Sequence, residues 1–149
     1  MVSLRHATAG DCREIYRVQV AAVRGLPSGT QGKEGIERWL ATREPEVYEK
    51  TMEDELFVVA EADGVLLGWG ALNVDKQVIT NVFVDPPQQR RGVGRAIIRM
   101  LEDRAREAGL DTVQLQATGT AIDFYLATGY RADPPVQPGA EWALMKKAL

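Results

Sequence analysis

The residues with the clearest chemical potential follow a predicted strand and open a predicted helix. After Pro86 and Pro87 the chain reads Gln89-Arg90-Arg91-Gly92-Val93-Gly94-Arg95 and then continues with apolar residues at helical spacing. Backbone N–H groups in a first helical turn have no partner inside the helix, and the helix dipole attracts anions to that end. The glycines let an anion reach the backbone, and the three arginines add positive charge. The segment therefore predicts a phosphate-binding turn.

Spacing alone leaves a second interpretation open, in which a plain surface helix begins with glycines and arginines. A lone Gly-x-Gly is weak evidence. Two other phosphate-binding motifs fit worse, because a P-loop needs a Lys-Ser/Thr pair that does not follow Gly94, and a dinucleotide fingerprint needs a third glycine where Ile97 stands.

The elements that must position this turn are predicted by periodicity and by turn residues. Their order is strand, two helices, three strands, helix, strand, helix, strand. The glycine-rich stretch from Gly25 to Gly35 predicts a loop. A meander of strands followed by strand–helix–strand predicts a mixed α/β (α+β) sheet with helices on its faces.

Composition excludes several classes of function. The 149 residues carry a formal net charge of −3 and a sequence pI of about 5.3, which disfavours nucleic-acid or membrane-surface partners. The apolar runs are too short to span a bilayer, and residues 1–6 lack the features of a signal peptide. One cysteine and one histidine make neither an internal disulfide nor a typical zinc site. We expect a single, metal-free, cytoplasmic domain over residues 1–149.

Two motifs resemble those of the GNAT superfamily of N-acetyltransferases. Val84-Asp85-Pro86 followed by Gln89, Gly92 and Gly94 is similar to the family's Gln/Arg-x-x-Gly-x-Gly/Ala motif and its lead-in strand. Ala121 to Tyr130 is similar to the family's Ala-x-x-Phe-Tyr-x-x-x-Gly-Phe/Tyr helix and turn, and Trp142 to Lys147 to its last strand. The resemblance implies a mainly antiparallel, twisted sheet of six to seven strands flanked by about four helices.

The same resemblance implies a function and a set of site residues. The function is transfer of the acetyl group of acetyl-CoA to a primary amine, by direct attack in a ternary complex. Tyr125 occupies the position of the family's general acid toward the coenzyme A sulfur. The backbone amides of about Arg91 to Arg95 would hold the pyrophosphate, and Val82 to Val84 would pair with the pantetheine arm. The full set expected to bind the cofactor is Val82, Phe83, Val84, Gln89, Arg90, Arg91, Gly92, Val93, Gly94 and Arg95.

The general base stays open, because the strand Val78–Val84 lacks the glutamate that many family members carry there. Glu55, Glu61, Asp75 or a chain of water molecules are the alternatives, and each carboxylate is also consistent with a solvated charge at a strand end. Thr118 stands where many members have asparagine, so that residue's role is not carried over.

The region from Arg24 to Lys50 corresponds to the part of the family fold that selects the acceptor. Trp39, Tyr48 and a run of acids lie in or near it, which suits a cationic small-molecule amine, although charge runs are usually solvated. A protein or peptide acceptor and a sensor domain that binds acetyl-CoA without turnover are the alternatives. A homodimer is plausible by resemblance. We expect Cys12 to be a core residue, and Trp69 and Trp142 to be packing residues in strands.

Overall fold

The computed structural model describes residues 2–25, 32–119, 121–132 and 134–149. Seven strands form one sheet in the order β1-β2-β3-β4-β5-β7-β6, and every neighbouring pair is antiparallel except β4 and β5. The mixed, mainly antiparallel sheet predicted above is thereby confirmed. The strands are β1 (Ser3–His6), β2 (Leu56–Ala62), β3 (Val65–Asn73), β4 (Val78–Val84), β5 (Thr112–Thr118), β6 (Arg131–Ala132) and β7 (Trp142–Ala148).

In the described part of the chain, five α-helices accompany the sheet, one more than the sequence predicts. They are α1 (Cys12–Arg24), α2 (Gly32–Ala41), α3 (Glu46–Thr51), α4 (Val93–Glu107) and α5 (Ile122–Ala127). The additional helix is α3, and Pro45 serves as its N-cap residue. Of the predicted glycine-rich loop, residues 26–31 lie outside the described part, and α2 already begins at Gly32.

The two faces of the sheet carry separate apolar cores. One core joins α1 and α3 to the sheet through Ile15, Val18, Tyr48 and Trp69, and Cys12, 7% exposed, belongs to it as expected. The other core joins α4 and α5 to the opposite face. We call these the α1 face and the α4 face. Within the described residues, no helix is long and apolar enough to cross a membrane.

The start of α4 is fixed by two glycines on β3. A Cβ atom at Gly70 would lie 2.7 Å from Cγ2 of Ile97, and one at Gly68 would lie 2.8 Å from the backbone oxygen of Phe83. Helix α4 and strand β4 therefore approach β3 more closely than any side chain at these positions would permit. This close packing places the first turn of α4 next to the end of β4.

The sheet opens between its two parallel strands. Strands β4 and β5 are paired at Val78 and Gln114, and in the described part of the chain no further register pair joins them. Strand β4 nevertheless continues along β3 as far as Val84, and β5 continues along β7 as far as Thr118. The edge of β4 that faces β5 is thus left without backbone partners over most of its length.

Candidate active site

The predicted phosphate-binding turn lies at the carboxyl end of β4. After Asp85, a 3-10 turn spans Pro86–Gln88, Arg90 has a positive φ of 67°, and Gly92 adopts a left-handed conformation with φ 82°. Helix α4 begins at the next residue. Glycine adopts this conformation at little cost, whereas a side chain is strained there.

The turn presents a row of free backbone donors. Among the described residues, the N–H groups from Arg90 to Arg95 make no hydrogen bond of ordinary geometry, and the first one used in α4 belongs to Ala96, bonded to the oxygen of Gly92 at 3.0 Å. None of the described side chains caps this helix. Six consecutive free donors at one helix start are suited to an anion.

The charges around the turn favour the same ligand. Arg90, Arg91 and Arg95 are exposed, and the first turn of α4 contains no acidic residue. The carboxylate nearest to the turn in sequence, that of Asp85, is held by Arg17 of α1 at 2.9 Å. A Cβ atom at Gly92 would have nothing within 4 Å, so the approach to the amides is open.

Strand β4 brings its predicted binding residues to the opening between β4 and β5. Val82 and Val84 pack against the core on the α4 face, while Phe83 contacts Trp69 on the α1 face with ring centroids 5.5 Å apart. Asp85 donates its backbone N–H to the oxygen of Leu67 on β3 at 2.8 Å, so by alternation the backbone groups of Val82 and Val84 face the unpaired edge. Gln89, the remaining predicted residue, is exposed, with a long contact of 3.4 Å from its side-chain nitrogen to the oxygen of Val84.

The helix α5 brings Tyr125 to the same region. A Cβ atom at Gly94 would lie 3.5 Å from Cγ2 of Val84 and 3.8 Å from Cζ of Phe124, so the end of β4, the first turn of α4 and α5 converge. Tyr125 is 9% exposed, and its ring stands edge-on to those of Phe124 and Tyr130. Burial raises the pKa of Tyr125 to about 12. Its hydroxyl has no hydrogen-bond partner among the described residues and is free to donate to a ligand.

The three carboxylates considered as bases have different surroundings. Glu61 forms an ion pair with Arg5 at 3.0 Å, and Asp75 is exposed in the turn between β3 and β4. Glu55 is half-buried, and its Oε1 accepts a hydrogen bond from the hydroxyl of Thr80 on β4. The sequence did not single out Thr80, because the contact spans three strands of the sheet.

In the expected acceptor region, the structure places one of the two aromatic residues in the core. Tyr48 is buried and donates a hydrogen bond to Oε1 of Gln19, so it belongs to the core. The guanidinium of Arg43 covers the ring of Trp39 at 4.7 Å. Trp69 is a packing residue as expected, but Trp142 is 58% exposed, which corrects its assignment as a packing residue. The physical reason is coverage: α1 and α3 pack on β2, β3 and β4, and β7 lies beyond these strands in the sheet.

In the described part of the chain, no three side chains of the His, Cys, Asp or Glu type are placed so that they could hold an ion.

Known proteins resemble this chain in sequence and in fold. Residues 28–149 match the family model described as Acetyltransferase (GNAT) domain. An IAA acetyltransferase of Azospirillum brasilense is 30% identical over 92 residues, which are 57% of this chain and 60% of that protein. The [Ribosomal protein bS18]-alanine N-acetyltransferase of Escherichia coli is 33% identical over 60 residues, 38% of this chain and 40% of that protein. The chain thus spans less than two thirds of the length of these curated relatives.

Two solved structures share the fold over nearly the whole chain. A GCN5-related N-acetyltransferase from Rhodopseudomonas palustris superimposes with a TM-score of 0.83 at 25% identity, covering 99% of this chain and 95% of that one. The PaiA N-acetyltransferase from Thermoplasma acidophilum, solved in complex with coenzyme A, superimposes with a TM-score of 0.85 at 18% identity, covering 100% and 99%.

Proposed function

We propose that this chain, which belongs to the GNAT acetyltransferase family, transfers the acetyl group of acetyl-CoA to the primary amine of a small molecule. The observation that carries the proposal is the row of six free backbone N–H groups from Arg90 to Arg95, beside the unpaired edge of β4. A pyrophosphate needs several donors converging on its oxygens, and an extended amide arm needs an unpaired strand edge. Both features occur side by side here.

The residues present fit acetyl-CoA. The amides of the turn and the three exposed arginines would hold the pyrophosphate, with Gly92 leaving the approach open. The backbone of Val82 to Val84 would pair with the pantetheine amides. When bound, acetyl-CoA supplies a thioester, an acyl donor with a good leaving group. Tyr125 would donate its proton to the departing sulfur, since its hydroxyl is protonated and otherwise unbonded.

Deprotonation of the acceptor is the second requirement of the reaction. An alkyl amine with a pKa near ~10.4 lies about three pH units from its neutral form at pH 7, a cost of about 4–5 kcal/mol. A direct attack therefore needs a group that takes up this proton on the acceptor's side of the site.

The class of the acceptor is supported by charge. Residues 44–55 contain six acids, five of them exposed, which favours a cationic molecule near the opening. A protein or peptide amine is the second candidate, and the Escherichia coli relative is an N-acetyltransferase of ribosomal protein bS18. A broad amine panel that stays silent while peptide amines are acetylated would favour that candidate. A homodimer also stays a proposal. The molar mass measured by light scattering after size-exclusion chromatography tests it.

The first experiment is thermal unfolding with acetyl-CoA, free coenzyme A and ATP at equal, saturating concentrations. A ligand at a hundred times its dissociation constant stabilises by about 2.7 kcal/mol, which raises the midpoint by roughly 5–10 °C for a chain of this size. We expect both coenzyme A species to produce this shift and ATP not to. Folded protein that shifts with none of them would overturn the proposal. If the protein binds acetyl-CoA but acetylates no amine, the alternative of a sensor domain is favoured.

A further inference from the structure

We propose that Glu55, positioned by Thr80, takes up the proton of the acceptor amine, and that the acceptor enters from the α1 face of the open sheet. The inference rests on the acetyl transfer proposed above and adds a catalytic residue, a positioning residue and a direction of approach. Four observations carry it: the place of a bulge in β4, the faces on which the side chains lie, the lack of a charge partner for Glu55, and the hydrogen bonds that orient it.

The bulge lies where the sheet begins to open. Ala71 of β3 pairs with Asn81, and the next residue, Leu72, pairs with Ile79, so Thr80 is the extra residue of β4. Val78, two residues earlier, is the residue of β4 that pairs with β5. A bulge bends its strand and re-aims a side chain. Thr80 therefore lies where β4 and β5 begin to separate. A ligand extended along β4 from the turn at Gly92 would end here, with its reactive group.

Tyr125 and Glu55 belong to opposite faces of the sheet. Tyr125 packs in the core of the α4 face, together with Val82 and Val84. Phe57, two residues after Glu55, packs in the core of the α1 face, together with Phe83. Alternation along β4 places Asn81 on the α1 face with Phe83. A carbonyl held in the opening would thus have a proton donor on one side and a carboxylate on the other.

Glu55 is a carboxylate without a cation. Among the described residues it makes no ion pair, whereas Glu61 is paired with Arg5, Asp85 with Arg17 and Glu102 with Lys147. Partly buried charges are usually paired. The neighbouring acids differ from Glu55 in being exposed; they are Glu44, Glu46, Glu49, Glu53 and Asp54. An ammonium group of the acceptor would supply the missing partner of Glu55.

Hydrogen bonds fix the orientation of Glu55. The side-chain amide of Asn81 donates to Oγ1 of Thr80 at 3.3 Å, and the Thr80 hydroxyl donates to Oε1 of Glu55. Within the part of the chain that is described, Oε2 has no hydrogen-bond partner and can accept a proton. Glu55 as a residue is half-exposed, so a proton that it takes up can be passed on to solvent.

Acetyl transfer to the amine releases two protons from the nitrogen and needs one proton on the sulfur. One proton of the ammonium passes to Glu55 and from there to water, which frees the nitrogen lone pair. The lone pair attacks the thioester carbon, the C–N bond forms and the C–S bond breaks with its electrons going to sulfur. Tyr125 protonates the sulfur, and the second proton lost by the nitrogen restores Tyr125. The sum is an amide, a thiol and one proton released to solvent.

The test compares Glu55→Gln with the matched control Glu107→Gln, which changes an exposed carboxylate at the last residue of α4. The acceptor is the alkyl amine that the wild type acetylates fastest in a panel. We expect Glu55→Gln to lower kcat at pH 7 by about 10²-fold or more, with the thermal shift by coenzyme A unchanged. The deficit should narrow between pH 7 and 9.5, because the solution itself then supplies neutral amine. Thr80→Val should lower kcat less, and Thr80→Ser should restore it.

The outcomes separate this inference from the proposed function. A wild type that acetylates an amine while Glu55→Gln has the same kcat would overturn the role of Glu55 alone. A deficit that stays constant from pH 7 to 9.5 would also overturn it, since a structural defect would not depend on the amine's protonation. A wild type that acetylates no amine would defeat the proposed function, and this inference with it.

Discussion

The hydroxyl of Tyr130 donates a hydrogen bond of 2.7 Å to Oε2 of Glu102, a carboxylate that is 3% exposed. Lys147 of β7 contacts the other oxygen of Glu102 at 3.0 Å and also donates to the backbone oxygen of Thr128 at 2.9 Å. The cluster ties α4, β7 and the turn after α5 to one another. Because the N–H of Tyr130 also bonds the oxygen of Tyr125 at 3.0 Å, the cluster holds the helix that carries Tyr125.

We expect Glu102→Ala to lower the free energy of unfolding by about 3–5 kcal/mol, because it leaves Lys147 and the Tyr130 hydroxyl without their buried partner. Urea unfolding measures the change. The control is Asp103→Asn, which removes only an exposed ion pair with Arg106 and should cost at most about 1 kcal/mol. If the two variants lose the same free energy of unfolding, the buried cluster stabilises the fold no more than an exposed ion pair does.

Because α4 and β4 pack closely against β3, we expect any side chain at Gly68 to lower the stability of the fold. A Cβ atom there would lie 2.8 Å from the backbone oxygen of Phe83, which is held by the sheet and cannot rotate away. Gly68→Ala should destabilise by about 1–3 kcal/mol, as overpacking usually does. Gly10→Ala is the matched control, since its nearest atom would be 3.6 Å away; an equally large effect there would contradict the packing argument.

The two glycines of the turn should respond differently to alanine. Gly92 has φ 82°, where a side chain costs about 1–2 kcal/mol, and the strain would displace the amides beside it. Gly94 lies in ordinary helical backbone with contacts of 3.5 and 3.8 Å. We expect Gly92→Ala to reduce the thermal shift by coenzyme A, and Gly94→Ala to keep it. Loss of the shift in Gly94→Ala alone would contradict this assignment.

Tyr125→Phe should lower kcat by about 10²-fold or more while leaving the affinity for coenzyme A unchanged, because only the proton donor is removed. Burial raises the pKa of Tyr125 to about 12, so the wild-type hydroxyl stays protonated from pH 6 to 10. We therefore expect no alkaline loss of kcat through Tyr125 in that range. Tyr16→Phe, on α1, is the control. Unchanged turnover in Tyr125→Phe would remove Tyr125 from the mechanism.

Buried tyrosines should also make the protein sensitive to alkali. Burial raises the pKa of Tyr48 and of Tyr125 to about 12, and burial together with the Glu102 contact raises the pKa of Tyr130. In the unfolded chain these groups ionise near pH ~10. Their contribution to the free energy of unfolding is therefore complete below pH 10. It is lost as the pH rises toward 12, by roughly 2–3 kcal/mol for each of Tyr48 and Tyr125.

Urea unfolding at pH 9, 10 and 11 checks this decline. Tyr48→Phe removes one of the ionising groups, so its free energy of unfolding should fall less steeply over this range than that of the wild type. A wild-type stability that is flat from pH 9 to 11 would contradict the assignment of raised pKa values.

The sequence by itself determined the parts of the site whose physics is local. The turn around Gly92 depends on the conformational freedom of glycine and on the free amides of a helix start, and both can be recognised in seven consecutive residues. The helix of Tyr125 likewise follows from a short motif. The sheet class followed from the order of strands and helices, because meanders and strand–helix–strand units allow few arrangements.

Only the tertiary structure decided which side chains meet from distant segments. Glu55 and Thr80 are 25 residues apart and come together because a bulge shifts the register of β4, which no local pattern reveals. Burial was decided in the same way: Tyr48 is covered by the helices above it, whereas the described helices leave the side chain of Trp142 on β7 58% exposed. Pairing register and coverage are properties of the assembled sheet, so a strand's own residues could not specify them.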